Sequence, residues 1–249
     1  MQDVDWNRTT WNQYKWRRQG EEWSDEWGGP SAQWAGMILP RIFPLLPASR
    51  MVEIACGYGR WTRYLLDHCD HLVALDLSAK CVEACQGRFA SEADEGRCEV
   101  RLTDGRSLAG VENEAIDLVF SFDSLVHVEQ DVIDDYLSEI ARVLKPGGSA
   151  FLHHSNRADD RANIERGGNR TKSVGAKTVR SAAEARGLQV RIQERVTWQS
   201  STLRDCFTLL TKASGAGEPI IIDNLEFWRD ASRLRTSIGH YHQVFAGER

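Results

Sequence analysis

Short apolar runs alternate with helical patterns from Met51 onward, and this alternation constrains the fold more than any other feature of the chain. The apolar runs read as strands and are, in order, MVEIA, HLVALD, CEVRLTD, AIDLVFSF and SAFLHHS. Alternation of this kind is typical of βαβ units. It predicts an α/β fold whose mostly parallel sheet carries helices on both faces.

Two later apolar runs, LQVRIQERVTW and STLRDCFTLLTK, are separated by only two residues and no helix. That spacing predicts an antiparallel hairpin, and therefore one reversed strand at the end of the sheet. We interpret residues 49–212 as the core, residues 1–48 as a Trp-rich N-terminal helical cap and residues 213–249 as a C-terminal appendage. A chain of 249 residues is compatible with one such domain.

The composition excludes several classes of protein. A net charge of -5 argues against a nucleic-acid partner, because phosphates are neutralised by clustered cations. The sequence has no apolar run of about 20 residues and no signal-peptide pattern at its start, so we expect no membrane span and a cytoplasmic location. The six cysteines lack CxxC spacing, which favours buried free thiols over a zinc site.

The first strand ends in a glycine turn, Cys56-Gly57-Tyr58-Gly59, and the second strand ends on Asp76. Ligands of open parallel sheets bind at the carboxyl ends of the strands, where glycine lets a ligand approach the backbone closely. A carboxylate at position 76 can accept both hydroxyls of a ribose, and Asp104 at the end of the third strand can accept from an adenine amino group. Thr62 stands where the dinucleotide fingerprint needs a third glycine, so a nicotinamide cofactor is disfavoured.

Five consecutive segments resemble the motifs of class I S-adenosylmethionine-dependent methyltransferases in their usual order. They are VEIACGYGRW, VALDLS, LTDG, IDLVFSFDSLVHV and ARVLKPGG. The resemblance extends over about residues 50–212 and implies a Rossmann-like, seven-stranded sheet with its last strand antiparallel. It also implies S-adenosylmethionine as cofactor and a set of binding residues, namely Glu53, Ala55, Gly57, Gly59, Asp76, Leu77, Asp104, Gly105 and Phe122. Within that set it implies Glu53 near the methionine amino group and Phe122 beside the methionine.

Candidate catalytic residues follow the fourth strand and end the fifth. Asp123 and His127 come after the fourth strand, although helix capping and packing are competing roles for them. On the fifth strand, alternation puts His153 and His154 on opposite faces, and we favour His154 because it is nearer the strand end. The prediction is that His154 or His127 acts as general base, assisted by Asp123.

A metal site is a further hypothesis. Asp123 could combine with His154, Asn156 or Asp159 around Mg²⁺, although a histidine ligand is unusual for this ion. The charged loop at residues 156–172 is either a mobile cover that hinges at Gly167-Gly168 or a solvated insert.

The tryptophans indicate the class of acceptor. Six of the nine lie in the first 34 residues, and one helical face cannot bury them all. Their flat apolar faces suit a sugar ring. The Trp-rich start beside YGRWTRYL resembles bacterial methyltransferases that act on polysaccharides, of the mycobacterial methylmannose-polysaccharide type. We therefore predict an O-methyltransferase for a sugar hydroxyl.

Two alternatives to this prediction stay open. One is a small-molecule N- or O-methyltransferase of secondary metabolism, and the other is a catalytically silent, cofactor-binding regulatory protein. The expected partner is a carbohydrate or another hydroxyl-bearing acceptor, and a homodimer is left open.

Overall fold

An eight-stranded sheet in the order β3-β2-β1-β4-β5-β7-β6-β8 forms the centre of the computed structural model. The model describes residues 3–160, 169–213 and 217–246. The strands are β1 (Ala48–Ile54), β2 (Cys69–Asp76), β3 (Cys98–Leu102), β4 (Ile116–Ser121), β5 (Leu144–Ser155), β6 (Gln189–Val196), β7 (Asp205–Thr211) and β8 (Ile220–Asn224). Strand β7 runs antiparallel to β5 and β6, and the other described pairs are parallel.

The predicted α/β architecture with one reversed strand is confirmed, but the predicted number of seven strands is wrong. The eighth strand, β8, pairs in parallel with β6 and comes from the segment expected to be an appendage. It is an edge strand with exposed isoleucines, and a helix follows it. A run this short, with no alternation of polar and apolar residues, carries a weak strand signal.

Nine helices accompany the sheet in the described part of the chain. They are α1 (Val4–Gln13), α2 (Pro30–Gln33), α3 (Leu39–Ile42), α4 (Thr62–Leu66), α5 (Ala79–Arg88), α6 (Ala90–Asp94), α7 (Gln130–Val143), α8 (Ala176–Glu184) and α9 (Phe227–Ala246). Helix α5 begins where sequence chemistry favours it, since the Ser78 hydroxyl accepts the N–H of Cys81. Among the described helices, none has both the length and the apolar character to cross a membrane.

Side-chain alternation along the strands divides the core into two layers. Val52 and Ile54 of β1 pack with α7 and α8 on one face of the sheet. Met51 faces the other layer, where it shares a cluster with the buried rings of Trp27 and Trp34 from the N-terminal region. The Trp-rich region therefore packs on the sheet, and each fully buried large side chain there stabilises the fold by roughly 1.5–3 kcal/mol.

The N-terminal region also covers the edge where β1, β2 and β4 end. Helix α1 is followed by 3₁₀ turns over Arg17–Trp27, which are interrupted by left-handed backbone at Arg18, Gln19 and Gly20. Just before this change of direction, the Trp16 ring stacks on Tyr58 of the glycine turn with centroids 4.8 Å apart.

Candidate active site

A cavity of ≈ 150 Å³ lies at the carboxyl ends of β1, β2 and β4. Eight of the residues predicted for cofactor binding or catalysis contribute to its lining, namely Ala55, Gly57, Asp76, Leu77, Gly105, Phe122, Asp123 and His127. Parallel strands present their carboxyl ends at one edge, which is why segments distant in sequence meet there.

Asp76 ends β2 as a buried carboxylate that lines the cavity. Its Oδ2 accepts the N–H of Gly57 at 2.8 Å, and its Oδ1 accepts the N–H of Ser78 at 2.8 Å. Burial raises the pKa of Asp76 to about 6, while these backbone hydrogen bonds oppose the rise. At neutral pH the group is therefore an ionised, poorly solvated carboxylate, suited to accept hydrogen bonds from a ligand's hydroxyl groups.

The two glycines of the turn have different roles. Gly57 has φ +57° and lines the cavity, and a Cβ there would lie 3.2 Å from the Trp16 ring. Gly59 has φ +79° and lies outside the lining, and its Cβ would lie 2.2 Å from Cε2 of Phe89. Gly57 thus leaves room at the cavity wall, whereas Gly59 lets the turn pack against the end of α5.

Glu53 and Asp104, both predicted to contact the cofactor, also lie outside the lining. Glu53 is buried and accepts the Thr62 hydroxyl at 2.6 Å, and burial raises its pKa to about 8. The Asp104 carboxylate is turned into its own loop, where Oδ1 accepts the N–H groups of Arg106 and Ser107. This orientation does not fit the predicted adenine contact of Asp104, while the neighbouring Gly105 does line the cavity.

Asp123, another lining residue of the cavity, stands between two arginines. Its Oδ2 accepts from Arg60 at 3.0 Å, and its Oδ1 lies 3.6 Å from the guanidinium of Arg170. All three side chains line the cavity and are largely buried. Asp123 has φ +59° although it is not a glycine, and such strained backbone clusters at functional sites.

His127 lines the same cavity as a neutral imidazole. Its Nδ1–H donates to the backbone carbonyl of Asn169, and its ring lies 5.4 Å from that of Trp11. Burial, reinforced by the charge of Arg170, lowers the pKa of His127 to about 4. At neutral pH the Nε2 lone pair is therefore free of a proton, and no hydrogen bond to Nε2 occurs within the described residues.

The expectation that His154 faces the cavity is wrong. Alternation does put the two histidines of β5 on opposite faces, but His154 turns toward the α8 layer and is fully buried. Both of its nitrogens are engaged, Nδ1 with the Ser155 carbonyl at 2.8 Å and Nε2 with the Thr208 hydroxyl at 2.7 Å. His153 is on the cavity side, behind Phe122, with ring centroids 4.8 Å apart.

The Mg²⁺ hypothesis is not supported. Within the described ranges, no group of three or more His, Cys, Asp or Glu side chains is placed to hold a metal ion. The Asp123 carboxylate is neutralised by Arg60 and Arg170, and His154 lies on the opposite face of β5. The hinge predicted at Gly167-Gly168 lies outside the described residues.

Sequence reasoning missed several lining residues. Arg60 follows the glycine turn directly, Arg170 lies in the last part of the loop at residues 156–172, and Trp198 follows β6. The sequence could have identified Arg60, because a residue that directly follows the glycine turn has its backbone close to the cavity. The arginines of the loop are candidates for contact with an acidic or hydroxyl-rich acceptor, but the sequence does not single out Arg170 among them. Trp198 carries no such signal, since long-range packing alone brings it there.

Part of the chain matches known proteins. Residues 51–148 match the family described as a methyltransferase domain. Cyclopropane-fatty-acyl-phospholipid synthase of Escherichia coli (strain K12) is 31% identical over 134 residues, which cover 53% of this chain and 33% of that protein. Phosphoethanolamine N-methyltransferase 1 of Triticum aestivum is 25% identical over 122 residues, covering 47% of this chain and 24% of that protein. This chain thus spans a third or less of the length of these two relatives.

A solved structure shares the fold. An S-adenosylmethionine-dependent methyltransferase from Clostridium acetobutylicum ATCC 824 superposes with a TM-score of 0.58 at 14% identity, covering 73% of this chain and 92% of that one. The chain therefore shares the fold of this structure, and residues 51–148 match the methyltransferase-domain family.

The residues at the cavity fit S-adenosylmethionine. The desolvated Asp76 carboxylate suits the ribose hydroxyls, and the open wall at Gly57 admits a close backbone contact. Leu77 and Gly105 form an apolar edge, because a Cβ on Gly105 would lie 3.4 Å from Leu77. We therefore retain Asp76, Gly57, Leu77 and Gly105 as the predicted cofactor residues.

Proposed function

We propose that the protein is an S-adenosylmethionine-dependent O-methyltransferase that acts on a sugar hydroxyl. The observation that carries the proposal is one cavity whose lining holds two chemically distinct groups. One is the ionised Asp76 carboxylate, and the other is the neutral His127 imidazole, with Asp123 in the same lining. A cofactor and an acceptor that must lose a proton would use these two groups respectively.

On the cofactor side, Asp76 accepts from the ribose hydroxyls, Gly57 admits the backbone contact and Leu77 with Gly105 flanks the adenine. When bound, the cofactor supplies a methyl group on a positively charged sulfur. Phe122 borders the cavity with its ring packed edge-on against Trp61 at 5.6 Å between centroids, which helps to exclude water from the transfer.

On the acceptor side, Nε2 of His127 would take the hydroxyl proton as the acceptor oxygen bonds the methyl carbon, while the methyl–sulfur bond of the bound cofactor would break and leave a neutral thioether. The hydrogen bond from Nδ1–H to the Asn169 carbonyl holds the ring in the tautomer that this step needs. Arg60 and Asp123 supply a fixed donor and acceptor for neighbouring hydroxyls. The chemistry needs no metal in this scheme.

Aromatic and polar lining together support a sugar acceptor. The tryptophans that line the cavity are Trp11, Trp16, Trp23, Trp27, Trp61 and Trp198. Indole faces suit the apolar C–H face of a sugar, while charged side chains between them suit its hydroxyls. The buried indole N–H of Trp61 has no hydrogen-bond partner in the described part of the chain, so it can donate to an acceptor oxygen.

A small-molecule acceptor is the second candidate, and the enclosure of the cavity favours it. Helix α1 and the Arg17–Trp27 segment both contribute to the lining, so the N-terminal region covers the site. A covered cavity admits a metabolite or a chain end more readily than the middle of a polysaccharide. The relative from Triticum aestivum carries the name of an N-methyltransferase for phosphoethanolamine, a small molecule.

Methyl transfer from radiolabelled S-adenosylmethionine tests the proposal. The acceptors are mannose, glucose and rhamnose oligosaccharides, with a second panel of small amines and alcohols. Labelled oligosaccharide, abolished by His127→Ala, supports the sugar O-methyltransferase. Label only in the second panel favours the small-molecule enzyme, and tight cofactor binding without any transfer favours a silent regulatory protein.

A further inference from the structure

Four residues form a closed ring of hydrogen bonds and ion pairs, with Asp123 and Arg170 in the cavity lining and His153 and Asp205 behind it. The backbone N–H of Asp123 donates to Nδ1 of His153 at 3.1 Å, and Nε2 of His153 lies 3.2 Å from Oδ2 of Asp205. Arg170 donates to the same Asp205 oxygen through Nη2 at 3.0 Å and reaches back to within 3.6 Å of the Asp123 carboxylate. The ring therefore begins and ends on Asp123.

The bond from Asp123 fixes the tautomer of His153. Because Nδ1 accepts the Asp123 N–H, the ring proton is on Nε2, where it donates to the Asp205 carboxylate. The imidazole is fully buried between the rings of Trp198 and Phe122, with centroids 4.7 Å and 4.8 Å away. His153 has no freedom to turn toward the cavity and does not line it.

Asp205 is a fully buried carboxylate at the start of β7, outside the cavity lining. Burial opposes its ionisation, but the charge of Arg170 and the hydrogen bond to His153 outweigh burial and keep its pKa well below the usual range. A buried ion pair of this kind contributes little net stability, because desolvation offsets the attraction. The role of this ion pair is therefore to fix the geometry of the residues around it.

That geometry is the left-handed backbone at Asp123. A non-glycine residue at φ +59° is disfavoured and persists only where its surroundings impose it. The bond from its N–H to His153 fixes the peptide, while Arg60 and Arg170 fix the carboxylate. The side chain consequently lines the cavity between the two arginines instead of capping the turn that follows β4.

We propose that His153 is a positioning residue, which with Asp205 holds Asp123 in the conformation that presents its carboxylate to the acceptor. The proposal rests on the proposed function, since it assigns the use of Asp123 to acceptor binding during methyl transfer. In this proposal the Asp123 backbone depends directly on His153. Asp205 acts only through His153, and His154 has no part in it.

Two substitutions at position 153 distinguish the hydrogen bond that positions Asp123 from the simple filling of space by the side chain. In His153→Asn the amide oxygen takes the place of Nδ1 and can still accept the Asp123 N–H. In His153→Gln the longer side chain reaches Asp205, but that acceptor is lost. We expect His153→Gln to speed hydrogen exchange of the Asp123 amide and to lower kcat on the labelled sugar by about 10-fold to 100-fold. In His153→Asn the Asp123 exchange rate and kcat should both stay closer to their wild-type values. The affinity for S-adenosylmethionine should be unchanged in each variant.

His154→Asn is the matched control, because it changes a fully buried histidine one position along the same strand. It should leave the Asp123 exchange rate and kcat near wild type. Equal losses of kcat in the Asn and Gln variants at position 153, or an unchanged Asp123 exchange rate in His153→Gln, would overturn the proposal. If wild-type protein labels no sugar, the proposed function fails, and the exchange rates alone still decide whether His153 fixes Asp123.

Discussion

The Asp76 carboxylate accepts the backbone N–H of Gly57 at 2.8 Å, which ties the end of β2 to the turn that follows β1. The same carboxylate accepts the N–H of Ser78 and lines the cavity. One residue thus shapes the glycine turn and offers the cavity a desolvated negative charge. The pairing of β1 with β2 brings the two segments together, since Ile54 aligns with Leu75 one residue before Asp76.

Replacing Asp76 with Asn should weaken the binding of S-adenosylmethionine by at least about tenfold. The amide keeps the size of the carboxylate, but it loses the charge and can accept only one of the two backbone N–H groups. Isothermal titration calorimetry measures the affinity. Asp117→Asn is a suitable control, because Asp117 pairs with Lys145 outside the cavity lining. An unchanged affinity in Asp76→Asn would remove Asp76 from the cofactor site.

The affinity for S-adenosylmethionine should fall as the pH drops through about 6. Burial raises the pKa of Asp76 to about 6, so the free protein takes up a proton there as the pH falls. Ribose hydroxyls favour the ionised form, and binding below this pH must therefore expel the proton. The apparent Kd should rise about tenfold between pH 7 and pH 5.

Asp76→Asn provides the control for this pH dependence, because its side chain does not titrate. The pKa of nearby Glu53 is raised by burial to about 8, so this carboxyl stays protonated over the same range and adds no slope. A wild-type Kd that is level from pH 7 to pH 5 would contradict the assignment of the ionised Asp76 to the ribose.

The sequence predicts the cofactor half of the site better than the acceptor half, for a physical reason. Asp76 and Gly57 sit where strands end, and the strand pattern alone places such residues at one edge of a parallel sheet. Asp104 shows the limit of that reasoning, because a short carboxylate after a strand can also bond its own loop. Local competition of this kind is invisible in the strand pattern.

The acceptor half depends on contacts between segments distant in sequence. Alternation predicts that His153 and His154 face opposite sides, but not which side holds the cavity, and proximity to the strand end was a poor guide. Arg170 reaches Asp123 from 47 positions further along the chain, which no periodicity encodes. The eighth strand was missed because its apolar run is short and lies at an exposed edge.

Replacing His127 with Ala should lower kcat by about 10²-fold to 10⁴-fold while sparing the affinity for S-adenosylmethionine. The imidazole lines the cavity with a free Nε2, whereas His154 has both nitrogens engaged on the far side of the sheet. His154→Asn should therefore retain turnover. Because the pKa of His127 is lowered to about 4, its loss of function by protonation should begin only near that pH. Full activity in His127→Ala would exclude it as the base.

Treatment with a chelator should leave turnover unchanged. Asp123, the carboxylate best placed near the acceptor, is already paired with Arg60 and Arg170, and their positive charges disfavour a cation beside it. The measurement is kcat after dialysis against EDTA, with and without added Mg²⁺. Activity that is lost on dialysis and restored by Mg²⁺ would revive the metal hypothesis.

Replacing Gly59 with Ala should destabilise the fold more than replacing Gly147 with Ala. Both glycines have positive φ, +79° and +84°, so both substitutions meet a similar backbone penalty of about 1–2 kcal/mol. At Gly147 a Cβ meets nothing within 4 Å, whereas at Gly59 it would lie 2.2 Å from Phe89. Overpacking should add roughly 1–3 kcal/mol at Gly59, measured as the difference in free energy of unfolding in urea. Equal losses in the two variants would show that Phe89 moves aside freely, and that Gly59 is required only for its backbone conformation.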